Sequence, residues 1–263
     1  MNILALETTG KYGSAAVINS AGEVFCSGSA NEMNHLRDVI TISDEAITAA
    51  GLTKKDITHV AASIGPGSFT GIRIGVTTAR TLGQALDIPC IGVSSLRAMG
   101  ERVLSKAIAS GALYVAAIIN ARRHQTYAGV WEAAFTSDYE KQTLVEFMEE
   151  KQYMIEDLLT SLRDALAKTG CTVLFTGDGI DAYEDVIREM LPEGSFMLAD
   201  PELRYQSAET VAGIALRKAE AGQTVNFEEL LPEYMRLSEA EQRLREGTLS
   251  DKIRKVPDMG GAR

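Results

Sequence analysis

The chain has 263 residues, 45% of them apolar, and a formal net charge of −10. That length suits one large domain or two small ones around a sizeable core. The acidic balance excludes a large autonomous nucleic-acid surface, because neutralising phosphates takes clustered Lys and Arg, and it suits a chain whose partner supplies the basic surface.

In chain order, residues 2–6 form an apolar run that predicts a strand, ending at Glu7-Thr8-Thr9-Gly10. A second strand over 14–18 and a third over 23–29 are joined by the hairpin-type turn Asn19-Ser-Ala-Gly22. Residues 34–50 read as a helix stopped by Gly51. Leu36, Ile40, Ser43 and Ile47 form one stripe on it, and Val39, Ile42, Ala46 and Ala49 a second. So wide an apolar arc needs contacts on two sides, one of them its own sheet and the other open to a partner.

The stretch 63–84 organises the rest. A fourth strand over 57–64 is broken by Gly65-Pro66-Gly67, and Ser68 or Thr70 can cap the helix that follows. On that helix Ile72, Val76, Ala79, Leu82 and Leu86 recur at helical spacing. A second row, Gly71, Gly75, Ala79 and Gly83, runs four residues apart along one face. Each helical glycine costs roughly 0.5–1 kcal/mol relative to alanine, so the row implies a close backbone approach. Two readings stand side by side: the row lies on the protein's own sheet, or it docks a second polypeptide.

A fifth strand over 89–93 and a helix capped by Ser94, running to about residue 109, complete a β-β-β-α-β-α-β-α order. The order then begins again. Strands are predicted at 113–119, 126–132 and near 143–148, followed by an amphipathic helix over 155–167 that Gly170 ends. A strand at 172–176, a helix at 182–190, a short strand at 195–199 and a helix at 207–219 follow. The repeated pattern suggests a structural duplication: residues 1–109 and a compact second module at 110–230, with helix 207–219 packing back on the first. Residues 231–263 form a C-terminal extension, with a capping box at Ser238 and Glu241, a charged helix over 239–246 and a tail over 252–263.

Cys26, Cys90 and Cys171 are odd in number and far apart. That predicts reduced thiols in the cytoplasm rather than a disulfide frame or a zinc site. Glu7 interrupts the first apolar run, so no secretory signal is expected. The longest apolar stretch, 112–119, is far short of the ~20 residues that span a bilayer, so no membrane is expected among the partners.

The block Gly65-Pro-Gly-Ser-Phe-Thr-Gly-Ile-Arg-Ile-Gly75 resembles the signature of the TsaB (YeaZ) family. Ile3-Leu-Ala-Leu-Glu-Thr-Thr9 is similar to that family's opening strand, Ile91-Gly-Val-Ser-Ser-Leu96 to its next strand and helix start, and Pro232-Glu-Tyr-Met-Arg236 to its Pro-x-Tyr-x-Arg element. The resemblance implies an α/β fold of two ribonuclease-H-like modules, as in the actin/sugar-kinase/Hsp70 superfamily. It also implies a non-catalytic subunit of the machinery that makes threonylcarbamoyladenosine beside the tRNA anticodon. A TsaD-type transferase and a TsaE-type ATPase are the implied partners. The tRNA is reached only through the complex, and ATP and magnesium are used by the partners. The docking surface is then expected at Leu36, Ile40, Ile47, Gly71, Gly75, Ala79 and Gly83, as part of a four-helix arrangement. Without the partner the same surface is available for a homodimer.

Other chemistry has weaker support in the residues. Glu7, Thr8 and Thr9 stand where the superfamily's first phosphate loop lies, and Gly177, Asp178 and Gly179 where the matching loop would be. With short loops and a compact second half, a vestigial nucleotide site is favoured over a working one. His35 has Val39 at i+4 and only Asp38 at i+3, a poor chelating pair, so no metal site is expected. Ser68 lacks the glycines of a nucleophile elbow. At the turn 120–127 the family usually has Asp-Ala-Arg, whereas Asn120 stands first here. The alternatives are a stand-alone ATP-binding enzyme of the same superfamily and a metal-dependent glycoprotease-like hydrolase.

Overall fold

The computed structural model describes residues 1–28, 35–135 and 142–235. The capping box at Ser238, the helix expected over 239–246 and the tail lie outside the described residues, as do the side chains of His35, Leu36 and Arg37.

Two five-stranded sheets repeat one topology. In the first, β1 (Asn2–Glu7) is flanked on one side by β2 (Ser14–Asn19) and β3 (Val24–Gly28), both in antiparallel pairings. On its other side lie β4 (His59–Gly65) and β5 (Cys90–Ser94), paired in parallel. In the second, β6 (Tyr114–Asn120) takes the place of β1. β7 (Gln125–Phe135) and β8 (Gln142–Met154) run antiparallel on one side, and β9 (Val173–Thr176) and β10 (Phe196–Leu198) parallel on the other. The orders β3-β2-β1-β4-β5 and β8-β7-β6-β9-β10 are the same. The fold is therefore α/β with two ribonuclease-H-like modules.

Alternation along the central strands explains the layers, since odd and even residues of a strand face opposite sides. Leu4, Leu6, Val60 and Ala62 face α1 (His35–Ala49) and α2 (Phe69–Leu86), whose Val39, Ile42, Ala46, Ile72 and Val76 complete that core. Ile3, Ala5, Ala61, Ile91 and Val93 face the other way, onto Ala208, Val211, Ala212 and Ala215 of α7 (Ala208–Glu220). The second sheet behaves alike. Ala116 and Ile118 meet α5 (Ile155–Thr169) and α6 (Gly179–Met190), while Val115, Ala117 and Ile119 meet α3 (Ser95–Arg102) and α4 (Leu104–Ser110). Each sheet thus takes part of its inner cover from the other half of the chain.

Local chemistry sets the element ends. Ser68 caps α2 by accepting the Gly71 N–H at 3.2 Å, and Ser94 caps α3 by accepting the Arg97 N–H at 3.3 Å. Asp87 and Gly170 close α2 and α5 in left-handed conformations. Two expectations differ from the structure. The helix expected to run from 94 to about 109 breaks at Val103. Arg102 there turns its guanidinium to the carbonyls of Tyr205, at 2.7 Å, and Glu202, at 3.0 Å, while Val103 is fully buried. Strand β8 extends to Met154, beyond the predicted 143–148, because it is an edge strand with one ladder and tolerates charges along its length.

Between the two sheets sits a polar junction. The Ser94 hydroxyl donates to Glu150 on β8, and Lys218 on α7 donates to the Gly92 carbonyl at 2.6 Å. Burial pushes the Glu150 carboxyl above its usual range, with Glu233 and Glu146 adding to the rise and the Ser94 bond and Arg97 opposing it. The folded state therefore binds that proton more tightly than the unfolded chain. The stability contributed is present below the ordinary carboxylate range and is lost as pH rises through the folded value. Glu150→Gln is accordingly expected to raise the melting temperature at pH 7, and the gain should vanish on acidification below pH ~4, the unfolded carboxylate range. Melting curves of both proteins across that range check it.

Candidate functional site

Three places were expected to carry function: the small-residue row of α2, the loops after β1 and β9, and the outward side of α1 and α2.

The row turns inward. A Cβ on Gly71 would fall well inside van der Waals contact of the Thr8 carbonyl oxygen, and one on Gly75 likewise of the Thr8 hydroxyl. The Thr8 hydroxyl donates to the Gly71 carbonyl at 2.7 Å, tying loop to helix. Ala79 is fully buried. A Cβ on Gly83 would come within 2.5 Å of the Cys90 sulfur. The docking surface placed on Gly71, Gly75, Ala79 and Gly83 is therefore corrected: the chain's own β1 loop and β5 already take the close approach that the glycines permit. Gly67 serves the same loop. Its φ of 153° suits glycine, and a Cβ there would lie 2.5 Å from the Thr9 carbonyl, which accepts the Ser68 N–H at 2.8 Å.

Apolar surface does remain on the outward side of the helix pair. A small groove of about 90 Å³ runs between α1 and α2, lined by Ile40, Ile47, Leu82, Leu86 and Ile88 among others. Ile40 is 52% exposed, whereas Ile47 is 5% exposed and belongs mainly to the core. Lys54 and Asp44, paired at 2.9 Å, mark its rim. At the start of α2 the structure also joins two sequence blocks that lie far apart in the chain. Arg73 lies 3.9 Å from the Phe69 ring centroid and donates from Nε to the Tyr234 hydroxyl at 3.0 Å. The Phe69 and Tyr234 rings are 5.1 Å apart and both well exposed. Sequence reasoning missed this cluster; its signal was the i, i+4 spacing of Phe69 and Arg73 within the long block.

The loops after β1 and β9 meet across a cleft of about 410 Å³ between the sheets, lined by Thr9, Gly10, Lys11, Asn120, Asp178, Asp181 and others. Only part of the expected phosphate apparatus reaches it. Glu7 is fully buried: Oε1 accepts the Thr9 N–H at 2.5 Å and the Thr9 hydroxyl at 2.6 Å, and Oε2 accepts the Ser63 hydroxyl. Such a carboxylate is committed to its own loop, as the Thr8 hydroxyl is to Gly71, so of the expected first phosphate loop Glu7 and Thr8 do not line the cleft and Thr9 does. Gln206 closes over Gly10. Gly177, at φ 109°, and Gly179 pack against the Ile118 carbonyl of β6, which accounts for both glycines without a ligand. Asp178 does line the cleft. Burial pushes its carboxyl up, the Asp181 charge adds to that, and the Asn120 N–H, donating at 3.1 Å, opposes it. Asp181 pairs with Arg204 at 2.6 Å. The charged side chains that line the cleft are thus the acidic Asp178 and Asp181 and the basic Lys11.

No group of three or more His, Cys, Asp or Glu arranged to hold a metal ion occurs among the described residues. His59 has its pKa lowered by burial and by the amino terminus, and His124 pairs with Glu156 at 3.0 Å. No helix among the described residues is long and apolar enough to cross a membrane.

Comparison with known proteins adds a lineage to this geometry. Residues 29–256 match the family model described as TsaD, tRNA N6-adenosine threonylcarbamoyltransferase. The chain is 29% identical to the tRNA threonylcarbamoyladenosine biosynthesis protein TsaB of Escherichia coli (strain K12), over 93% of this chain and 98% of that protein. It is 27% identical to the TsaB of Bacillus subtilis (strain 168), over 92% and 96%. Among solved structures, YeaZ from Pseudomonas aeruginosa superposes with a TM-score of 0.71 at 25% identity, covering 89% of this chain and 99% of that one.

Proposed function

Because the chain belongs to the TsaD family, and within it to the TsaB (YeaZ) proteins, we propose that it takes part in threonylcarbamoyladenosine biosynthesis on tRNA as a non-catalytic accessory subunit. In this role it binds and activates a TsaD-type transferase, in a complex that a TsaE-type ATPase joins and through which the tRNA is reached. The two ribonuclease-H-like modules, 1–109 and 110–230, act as one seat for the partner. The partner rests on the outward side of α1 and α2.

One observation carries this reading. The polar residues that would do chemistry after β1 are spent inside the chain, on Ser63, Thr9 and Gly71, while Ile40 remains in water on a helix whose Val39, Ile42, Ala46 and Ile47 are buried. An apolar side chain held out beside a groove is the kind of surface that a partner helix covers.

Reconstitution tests it. The chain alone, given tRNA and threonylcarbamoyl-adenylate, should yield no modified adenosine. It should co-purify with a TsaD-type subunit and raise that subunit's rate. Modification by the chain alone, or failure to associate, would overturn the reading.

A further inference from the structure

The hairpin tip between β6 and β7 holds charge that the accessory role does not use. Arg122, Arg123 and His124 have consecutive left-handed backbones, with φ of 64°, 52° and 60°. Non-glycine residues adopt that region at a cost, so three in a row persist only where their surroundings hold them. Here the bracing is visible. Asn120 Oδ1 accepts the Arg122 N–H at 2.8 Å, and the Arg122 carbonyl accepts the Gln125 N–H at 2.9 Å. The His124 carbonyl accepts the Ile155 N–H at 2.9 Å, and the Tyr183 hydroxyl donates to the Gln125 carbonyl at 2.8 Å. Ala121 is buried beneath the turn.

The tip is thus fixed, and both arginines stand exposed on it. Several other arginines of this acidic chain are engaged: Arg97 and Arg217 with Glu101, Arg188 with Glu184, Arg204 with Asp181. Among the described residues neither the Arg122 nor the Arg123 guanidinium has an ion pair or a hydrogen bond. The tip also stands beside the cleft, because Asn120 and Tyr127, on either side of it, line that space.

We propose that this tip is an RNA-backbone contact: Arg122 and Arg123 each hold a phosphate of the tRNA bound to the assembled complex. The inference rests on the accessory role proposed above. Guanidinium forks match phosphate oxygens in two-point geometry. Such contacts position a nucleic acid without reading its sequence, which suits a subunit that orients tRNA for chemistry done by its partner. Holding the backbone in advance leaves less to order on binding.

The test is equilibrium binding of unmodified tRNA to the complex across a salt series, with wild type and the double variant Arg122→Gln/Arg123→Gln. Glutamine keeps the side-chain stem and removes only the charge. The variant should bind about tenfold more weakly or worse at ~0.1 M salt, and its slope of log affinity against log salt should fall by roughly 1.5, as expected for two lost phosphate contacts. Arg163→Gln, which removes an exposed arginine from α5, should change neither. Equal affinity and equal slope for the double variant would overturn the inference. Co-purification is scored first. If the wild-type complex does not form, the accessory role fails and the tip contact that rests on it falls with it; if the complex forms, the two criteria above decide the tip alone.

Discussion

Gly71→Ala should destabilise the chain by about 3 kcal/mol, lowering its melting temperature by roughly 6–12 °C. A methyl group in an exposed helix interior ordinarily helps, by about 0.5–1 kcal/mol. At Gly71 the added carbon instead meets the Thr8 carbonyl oxygen, which belongs to the backbone and has no rotamer to escape into. The same displacement strains the Thr8 hydroxyl bond to the Gly71 carbonyl and the Glu7–Thr9–Ser63 cluster beside it. Gly213 in α7 provides the contrast, since a Cβ there finds only the tip of the Arg217 side chain, 4.0 Å away. Gly213→Ala should leave the chain as stable as wild type or slightly more so. Thermal melts of the two variants check the pair. A Gly71→Ala protein that melts like wild type but no longer binds its partner would return the row to the surface.

The direction of that row is where reading from sequence ran out, and the reason is physical. Glycines four apart state that some backbone comes close on one helix face. They do not state whose backbone it is. The answer lay in Thr8, sixty-three residues away, whose hydroxyl and carbonyl fill the space. By contrast the module order was legible, because it rests on local signals that agree: apolar runs, glycine stops at Gly51 and Gly170, and serine caps at Ser68 and Ser94. Legibility failed again wherever long-range contacts override local pattern. The break at Val103 depends on carbonyls of Glu202 and Tyr205. The second half of β8, with Glu149, Glu150 and Lys151, reads as loop until its pairing with β7 is seen. In the cleft, Thr9 and Asp178 are brought together as the loop positions suggested, while Glu7, Thr8 and the flanking glycines are absorbed by packing.

With the row sealed, the docking proposal narrows to the outward side of α1 and α2, and Ile40→Asp becomes its sharpest test. Ile40 contributes little to the monomer, being 52% exposed, so the substitution should change stability by no more than about 0.5 kcal/mol. Covered by a partner helix, the same position would gain roughly 1.5–3 kcal/mol from burial of an isoleucine. An aspartate there forfeits that gain and must also be stripped of water without a counter-ion, a cost of at least a further 1–3 kcal/mol. Together these predict a loss of partner affinity of about 100-fold or more. Ile47→Asp supplies the opposing case: only 5% exposed and packed in the first core, it should fail to fold rather than merely fail to bind. Size-exclusion chromatography of each variant alone, followed by titration with the transferase subunit, separates the outcomes. Should Ile40→Asp fold normally and still bind with wild-type affinity, the groove between α1 and α2 is not the seat. The exposed cluster of Phe69, Arg73 and Tyr234 at the head of α2 would then be the next surface to alter.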